Sequence, residues 1–219
     1  MKILVLLLSI CPTLTAFAQT PEVSARPQSF IRIDRIGEPN VATSFFVFTT
    51  TDRHYTIRND GRGESDFAEL RRRKTFYLKM EPGARLVRLY MAEFQNDLLL
   101  AYEVSAGNSG WAYVARLNQK ARQLRWATAV SGINLGPGLI EDGCVYITAQ
   151  NLLAKVDLQS GDYVWQSEVK QKSAPAFAEF VLPEIDGARA IFRENGQRRR
   201  VITVDKLNGD NVKLMSDKL

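Results

Sequence analysis

The sequence predicts an all-β fold, a β-propeller-like repeat of about four blades arranged as a small closed ring or an open arc. Three observations carry this reading. Short runs rich in Val, Ile, Leu, Phe, Tyr, Trp and Thr alternate with Gly, Asn, Asp and Pro pairs, helical periodicity is weak, and a hairpin signature recurs at a near-constant interval. Sandwiches and barrels also consist of short strands, but a repeat of about 40 residues is the mark of a propeller blade.

The chain opens with Met1 and Lys2, an apolar run from Ile3 to Ile10, and Ala16-Phe17-Ala18 ahead of Gln19. A charged start, a short hydrophobic stretch and an A-x-A site describe a secretory signal peptide over residues 1–18, cleaved after Ala18. The run is about half of what spans a bilayer, and Pro12 interrupts it, so an uncleaved anchor fits less well. Cys11 does not mark lipid attachment, because bulky Ile10 precedes it. A periplasmic or secreted location is therefore expected. Cleavage removes Cys11 and leaves Cys144 as a lone thiol in the strand-like Gly143-Cys144-Val145-Tyr146-Ile147. It is expected to be a buried small hydrophobe, and no disulfide is expected.

Residues 19–28, with Pro21 and Pro27, read as a flexible lead-in, and residues 29–219 as the repeat domain. Strand-like runs follow at Phe45 to Thr49, Thr75 to Met80, Leu86 to Tyr90, Leu98 to Val104, Trp111 to Leu117, Val145 to Thr148, Leu153 to Leu158, Tyr163 to Trp165, Ala190 to Phe192 and Val201 to Val204. Asn96-Asp97, Ser109-Gly110, Asp142-Gly143, Ser160-Gly161, Asp186-Gly187 and Asn208-Gly209 punctuate them as turns. Thr51 to Tyr55 reads as a polar turn, Asp60 to Asp66 as a Gly-rich loop, and Ser65 to Arg73 as a short helix or a loop.

The repeat is plainest from Ala154 to Trp165. One period toward the N-terminus, the segment from Ala115 to Trp126 sets Ala115 on Ala154, Leu117 on Val156, Asn118 on Asp157 and Trp126 on Trp165. A second step of the same length reaches Phe76 to Val87, which retains Leu78 and Gly83, with Val87 in place of the Trp. A somewhat longer step toward the C-terminus reaches Ile202 to Lys213, which sets Asp205 on Asp157 and Gly209 on Gly161, with Lys213 in place of the Trp. Each unit reads as a hairpin. Asp or Asn bonds the turn backbone, Gly supplies positive φ, and the Trp fills the gap to a neighbouring sheet. Packing is the expected role of Trp126 and Trp165, and ligand binding the alternative.

The pattern A-x-x-D-x-x-x-G-x-x-x-W resembles the blade motif of quinoprotein-like (PQQ-like) β-propellers, A-x-D-x-x-T-G-x-x-x-W. Asp157, Gly161 and Trp165 match it, Ser160 stands for the Thr, and Ala154 lies one residue further from the Asp. The resemblance implies one of two classes. Quinone-dependent alcohol and sugar dehydrogenases are large complete propellers that hold pyrroloquinoline quinone and calcium at the central axis. Non-enzymatic members include the propeller lipoprotein of the outer-membrane β-barrel assembly machinery. Four hairpins amount to about half the blades of the dehydrogenases, and the adjacent-Cys disulfide of that family is absent, so a non-catalytic member is expected.

The chemistry-bearing residues agree with that expectation. His54 is the single His of 219 residues, which leaves no Cys and His cluster for zinc, and there is no D-x-D-x-D-G loop for calcium. Glu184 and Asp186 form either a carboxylate pair or, beside Gly187, a turn. No catalytic residue, cofactor or metal is assigned. With 29 Lys and Arg against 24 Asp and Glu, the chain is mildly basic, and its charge gathers at Arg71-Arg72-Arg73-Lys74 and Arg198-Arg199-Arg200. No aromatic interleaving accompanies these runs, so nucleic acid is not an expected partner. The readings left are a scaffold that holds a protein or polymer of the cell envelope, with homo-oligomerisation if the propeller is incomplete, or a saccharide or small-ligand binder or degenerate quinoprotein-type enzyme. Arg71, Arg72, Arg73, Arg198, Arg199, Arg200 and Trp111 are the candidate partner contacts. Trp111, Tyr113 and Tyr163 are candidate stacking residues, with packing as their alternative.

Overall fold

Alternation of side chains along extended runs builds the molecule, a computed structural model that describes residues 27–38, 43–51, 53–67, 74–169, 179–195 and 200–216. Three short strands come first: β1 (Gln28–Ser29), β2 (Ile31–Ile33) and β3 (Arg35–Ile36). Blade 1 then comprises β4 (Phe45–Thr49), β5 (Arg53–Arg58), β6 (Arg62–Phe67) and β7 (Lys74–Tyr77), and blade 2 comprises β8 (Arg85–Phe94), β9 (Asp97–Ala106), β10 (Ser109–Asn118) and β11 (Gln123–Val130). Blade 3 holds β12 (Leu139–Glu141), β13 (Cys144–Ala149), β14 (Leu152–Asp157) and β15 (Tyr163–Glu168), and blade 4 holds β16 (Glu184–Asp186), β17 (Arg189–Arg193), β18 (Arg200–Asp205) and β19 (Lys213–Ser216). Within each blade the strands pair antiparallel in chain order.

Period-two burial assigns each face. On β9, Leu98, Leu100 and Tyr102 enter a core shared with Phe46, Tyr55 and Ile57 of blade 1, while Leu99 and Ala101 enter one shared with Val145, Ile147 and Val156 of blade 3. A third core joins Tyr146, Leu153 and Trp165 of blade 3 to Phe192, Ile202 and Val204 of blade 4. Blades 2 and 3 are thus buried on both faces, which is why β9 and β13 read as continuous apolar runs. Blades 1 and 4 each bury one face. Among the described residues no core joins blade 4 to blade 1, so the all-β repeat is an open arc of four blades.

Each seam is locked by the turn of the following blade. The Trp126 indole donates to the Leu158 carbonyl at 3.3 Å, and the Trp165 indole to the Lys206 carbonyl at 3.1 Å. Two residues further on, the Thr128 hydroxyl donates to the Gly161 carbonyl and the Ser167 hydroxyl to the Gly209 carbonyl. From the adjacent strand Arg116 donates to Leu158 O at 2.8 Å, and Lys155 to Lys206 O at 3.4 Å. In the first seam the corresponding turn carbonyl, Gln119 O, accepts from Arg53. Asp157 shapes its turn by accepting from the amides of Gln159 and Ser160 at 2.8 and 2.7 Å. These amide bonds, that of Ser160 foremost, hold its carboxyl below the usual range.

The structure corrects several expectations. The polar turn at Thr51 to Tyr55 contains the start of β5, so His54 sits on a strand; Arg53, Tyr55 and Ile57 face inward and give the run its polar look only by alternating with His54, Thr56 and Arg58. Most of the expected Gly-rich loop and the start of the expected short helix or loop form β6, paired to β5 and β7, where Gly63 lets the Phe76 ring lie against the backbone; residues 68–73 of that expectation lie outside the described residues. The Phe76 to Val87 unit is not a blade hairpin; it joins the last strand of blade 1 to the first of blade 2, and Phe76 takes the inward aromatic position. Gln28, expected in the lead-in, lies on β1. Cys144 is buried, and burial pushes its thiol pKa up.

Trp165, only 6% exposed, spans the third seam, whereas Trp126 is half-buried. Trp165→Ala is expected to cost about 3–5 kcal/mol in denaturant unfolding and Trp126→Ala less; equal losses would contradict this account of the seams. Gly161 (φ +83°) would place an added Cβ 2.5 Å from the Trp126 ring, while Gly143 (φ +71°) faces open space. Both Ala substitutions strain the backbone, but Gly161→Ala alone is expected to shift Trp126 fluorescence and to lower the unfolding midpoint further.

Candidate functional site

The first strands of the blades converge on a shared inner edge. Antiparallel pairing sets Gln28 opposite Ile140 of blade 3, Arg32 opposite Tyr90 of blade 2, and Arg35 opposite Phe46 of blade 1. A segment of residues 28–36, extended at about 3.3 Å per residue, thereby straps three blades together. It drops one apolar anchor into each seam it crosses: Phe30, whose amide also donates to Gly138 O at 3.0 Å, enters the core between blades 2 and 3, and Ile33 packs on the core between blades 1 and 2.

Beside the strap lies an ionic cluster. Glu179, which leads into blade 4, accepts from the Tyr90 hydroxyl at 2.8 Å and stands 3.6 Å from both Arg32 of the strap and Arg88 of β8. Arg88 also lies 3.8 Å from Glu103 and donates to Leu135 O at 2.8 Å, and Glu103 accepts from the Leu135 amide. Burial, then the Glu179 contact, raises the Tyr90 phenol well above its ordinary value, so it remains a donor at neutral pH. The cluster ties strap, blade 2 and the entry to blade 4 into one inner wall.

Pyrroloquinoline quinone and calcium, which the fold family implies, do not fit this wall. The first-strand edges of blades 1 to 3 are already paired with the strap, and the carboxylates there, Glu103 and Glu179, are committed to Arg88, Arg32 and Tyr90.

A different kind of concavity lies on the open face of blade 1. It has a volume of about 360 Å³ and is lined by Phe45, His54, Thr56, Arg58, Glu64 and Asp66, with Thr43 at its margin. Cross-strand register sets His54 beside Asp66 and Thr56 beside Glu64. His54 Nδ1 lies 2.9 Å from the Thr49 hydroxyl, and Glu64 pairs with Arg62 at 3.3 Å. A polar ligand of a few atoms suits such a lining.

The residues singled out in the sequence divide clearly. Asp157, Gly161, Trp165, Asn118, Trp126, Asp205 and Gly209 build the turns and seams. Arg71, Arg72, Arg73, Arg198 and Arg199 lie outside the described residues. Arg200 is buried and locked to Glu194 through two bonds of 2.7 and 2.5 Å, so its charge is spent inside blade 4. Trp111 is half-buried against the first core, Tyr113 stacks on Tyr102 with ring centroids 5.3 Å apart, and the Tyr163 hydroxyl donates to Ala129 O. Glu184 and Asp186 lie on β16 just before the turn at Gly187, and Glu184 pairs with Arg193 at 3.2 Å. Neither the strap nor the ionic cluster is signalled in the sequence, since strands of two or three residues carry no periodicity.

No protein-family model matches the chain, and no curated protein does. Among solved structures the chain is similar to quinohemoprotein alcohol dehydrogenase ADHIIG from Pseudomonas putida HK5, at 12% identity and a TM-score of 0.53, over 80% of this chain and 34% of that one. BamB from Moraxella catarrhalis matches at 9% identity and a TM-score of 0.37, over 78% of this chain and 63% of that one. The chain therefore spans about a third of the dehydrogenase's length. At such identity the likeness shows the fold alone, that of a β-propeller-like repeat.

Glu194→Gln leaves the Arg200 charge buried without its carboxylate, and is expected to destabilise the protein by about 3–5 kcal/mol in denaturant titration. A loss below about 1 kcal/mol would show that Arg200 reaches solvent or an outside partner instead.

Proposed function

We propose that this chain is an exported, non-catalytic propeller scaffold that holds a protein or polymer partner in the cell envelope. The single observation that carries the reading is the inner wall: the first-strand edges of blades 1 to 3 are filled by the chain's own strap, with an ion-paired cluster beside it. What remains for contact is the set of open faces and edges of an incomplete ring, a surface suited to another macromolecule. The signal-peptide pattern at residues 1–18 supports export. The cleft on blade 1 favours a second reading, a binder of small polar ligands such as saccharides.

Purified protein beginning at Gln19 is expected to copurify a specific partner from envelope extracts and to show no dye reduction when supplied with pyrroloquinoline quinone, calcium and alcohols. Quinone-dependent turnover abolished by chelation would overturn the scaffold reading. Saturable binding of a sugar, lost in Arg58→Ala, would favour the second.

A further inference from the structure

The strap covers the first strands of blades 1, 2 and 3, and the fourth first strand, β16, has no such cover among the described residues. The consequence is visible in burial. Of the residues paired to the strap, Phe46, Leu89, Tyr90, Met91, Leu139 and Ile140 are buried and Phe45 is half-buried, whereas on β16 Glu184 and Asp186 are exposed and Ile185 is half-buried. Val181, just upstream, is 38% exposed.

The hydrogen-bonding capacity of this edge follows from its hairpin. Asp186 opposes Arg189 across a two-residue loop that begins with Gly187 at φ +56°. In such a hairpin the pair flanking the loop exchanges both backbone bonds, and the next pair does not. Ile185 opposes Ala190 in that next pair, so the Ile185 N–H and C=O point away from β17, toward the uncovered edge.

Among the described residues the strap stops short of it. Pro27 stands immediately before β1, is exposed, and has no N–H with which to continue a ladder. Phe30 and Ile33 anchor the first two seams, but the third has no anchor from the strap.

We propose that β16 is the docking edge for an extended segment of a partner protein, which pairs antiparallel through Ile185 and sets one aromatic or branched apolar side chain beside Val181 and Ile185. The three strap contacts are internal precedents for this addition. The proposal rests on the scaffold reading and names where its partner attaches.

The test uses the chain from Gln19 and a synthetic peptide copying Gln28–Ile36. In the free protein the Ile185 amide is expected to exchange with solvent unprotected, and the peptide is expected to slow that exchange at least tenfold. Peptide binding should be lost in Ile185→Pro, which removes only the outward N–H, and retained in Ile185→Ala. Protection of Ile185 in the free protein would overturn the proposal by showing that the chain's own residues occupy the edge. Peptide protection confined to β4, β8 and β12 would overturn it as strap exchange, as would binding unchanged by Ile185→Pro. If Ile185→Pro does not fold, the exchange measurements on the unmodified chain still decide. An envelope partner that copurifies equally with Ile185→Pro leaves the scaffold reading intact and refutes this edge; peptide protection of Ile185 with no envelope partner does the reverse.

Discussion

Everything in this arc hangs on one carbonyl per turn. Gln119, Leu158 and Lys206 occupy the same position just after the turn Asn or Asp, and each offers its backbone oxygen to the blade before it. A hydrophobic seam alone would let two sheets slide. A fixed acceptor met by an indole, a guanidinium or an ammonium sets the register, and the glycine beneath the ring sets the distance. On blade 4 the same positions hold Lys213 and Met215, both exposed, where blade 3 has Trp165 and Ser167. The donor set stops there, and so does the stacking of blades.

What can be read from the sequence follows the same line. The hairpins of blades 2, 3 and 4 are legible because a turn Asx, a Gly and a docking Trp stand at fixed offsets in at least two of them. Blade 1 is opaque because Arg53, His54 and Arg58 stand on one strand, and Arg53 is buried against the next blade, where the Gln119 carbonyl, 66 residues away, accepts from it. The open arc is one of two expected outcomes, and the absence, among the described residues, of a core between blades 4 and 1 decides between them. The inner wall is not legible at all, since Arg32, Arg88, Glu103 and Glu179 meet only after three blades have stacked.

The two end blades resemble the caps of other repeat arrays, in which the terminal unit turns a polar face to water. Blade 1 shows His54, Thr56, Arg58 and Glu64 outward, and blade 4 shows Glu184, Arg193 and Lys213. Val47 and Tyr77 of blade 1 and Leu214 and Met215 of blade 4 are exposed among them, so the outer faces of the end blades are mixed rather than uniformly polar.

The strap also imposes an order in time. Gln28 pairs with Ile140, two blades further along the chain, so the first strand made is among the last to find its place. Contacts of such long range slow folding, because the intervening loop must close before they contribute. A chain that emerges N-terminus first therefore leaves Ile33 uncovered until blades 1 and 2 have stacked, and Phe30 uncovered until blade 3 exists. The residues that seal two seams of the finished arc are, until then, unsatisfied apolar surface on the nascent chain.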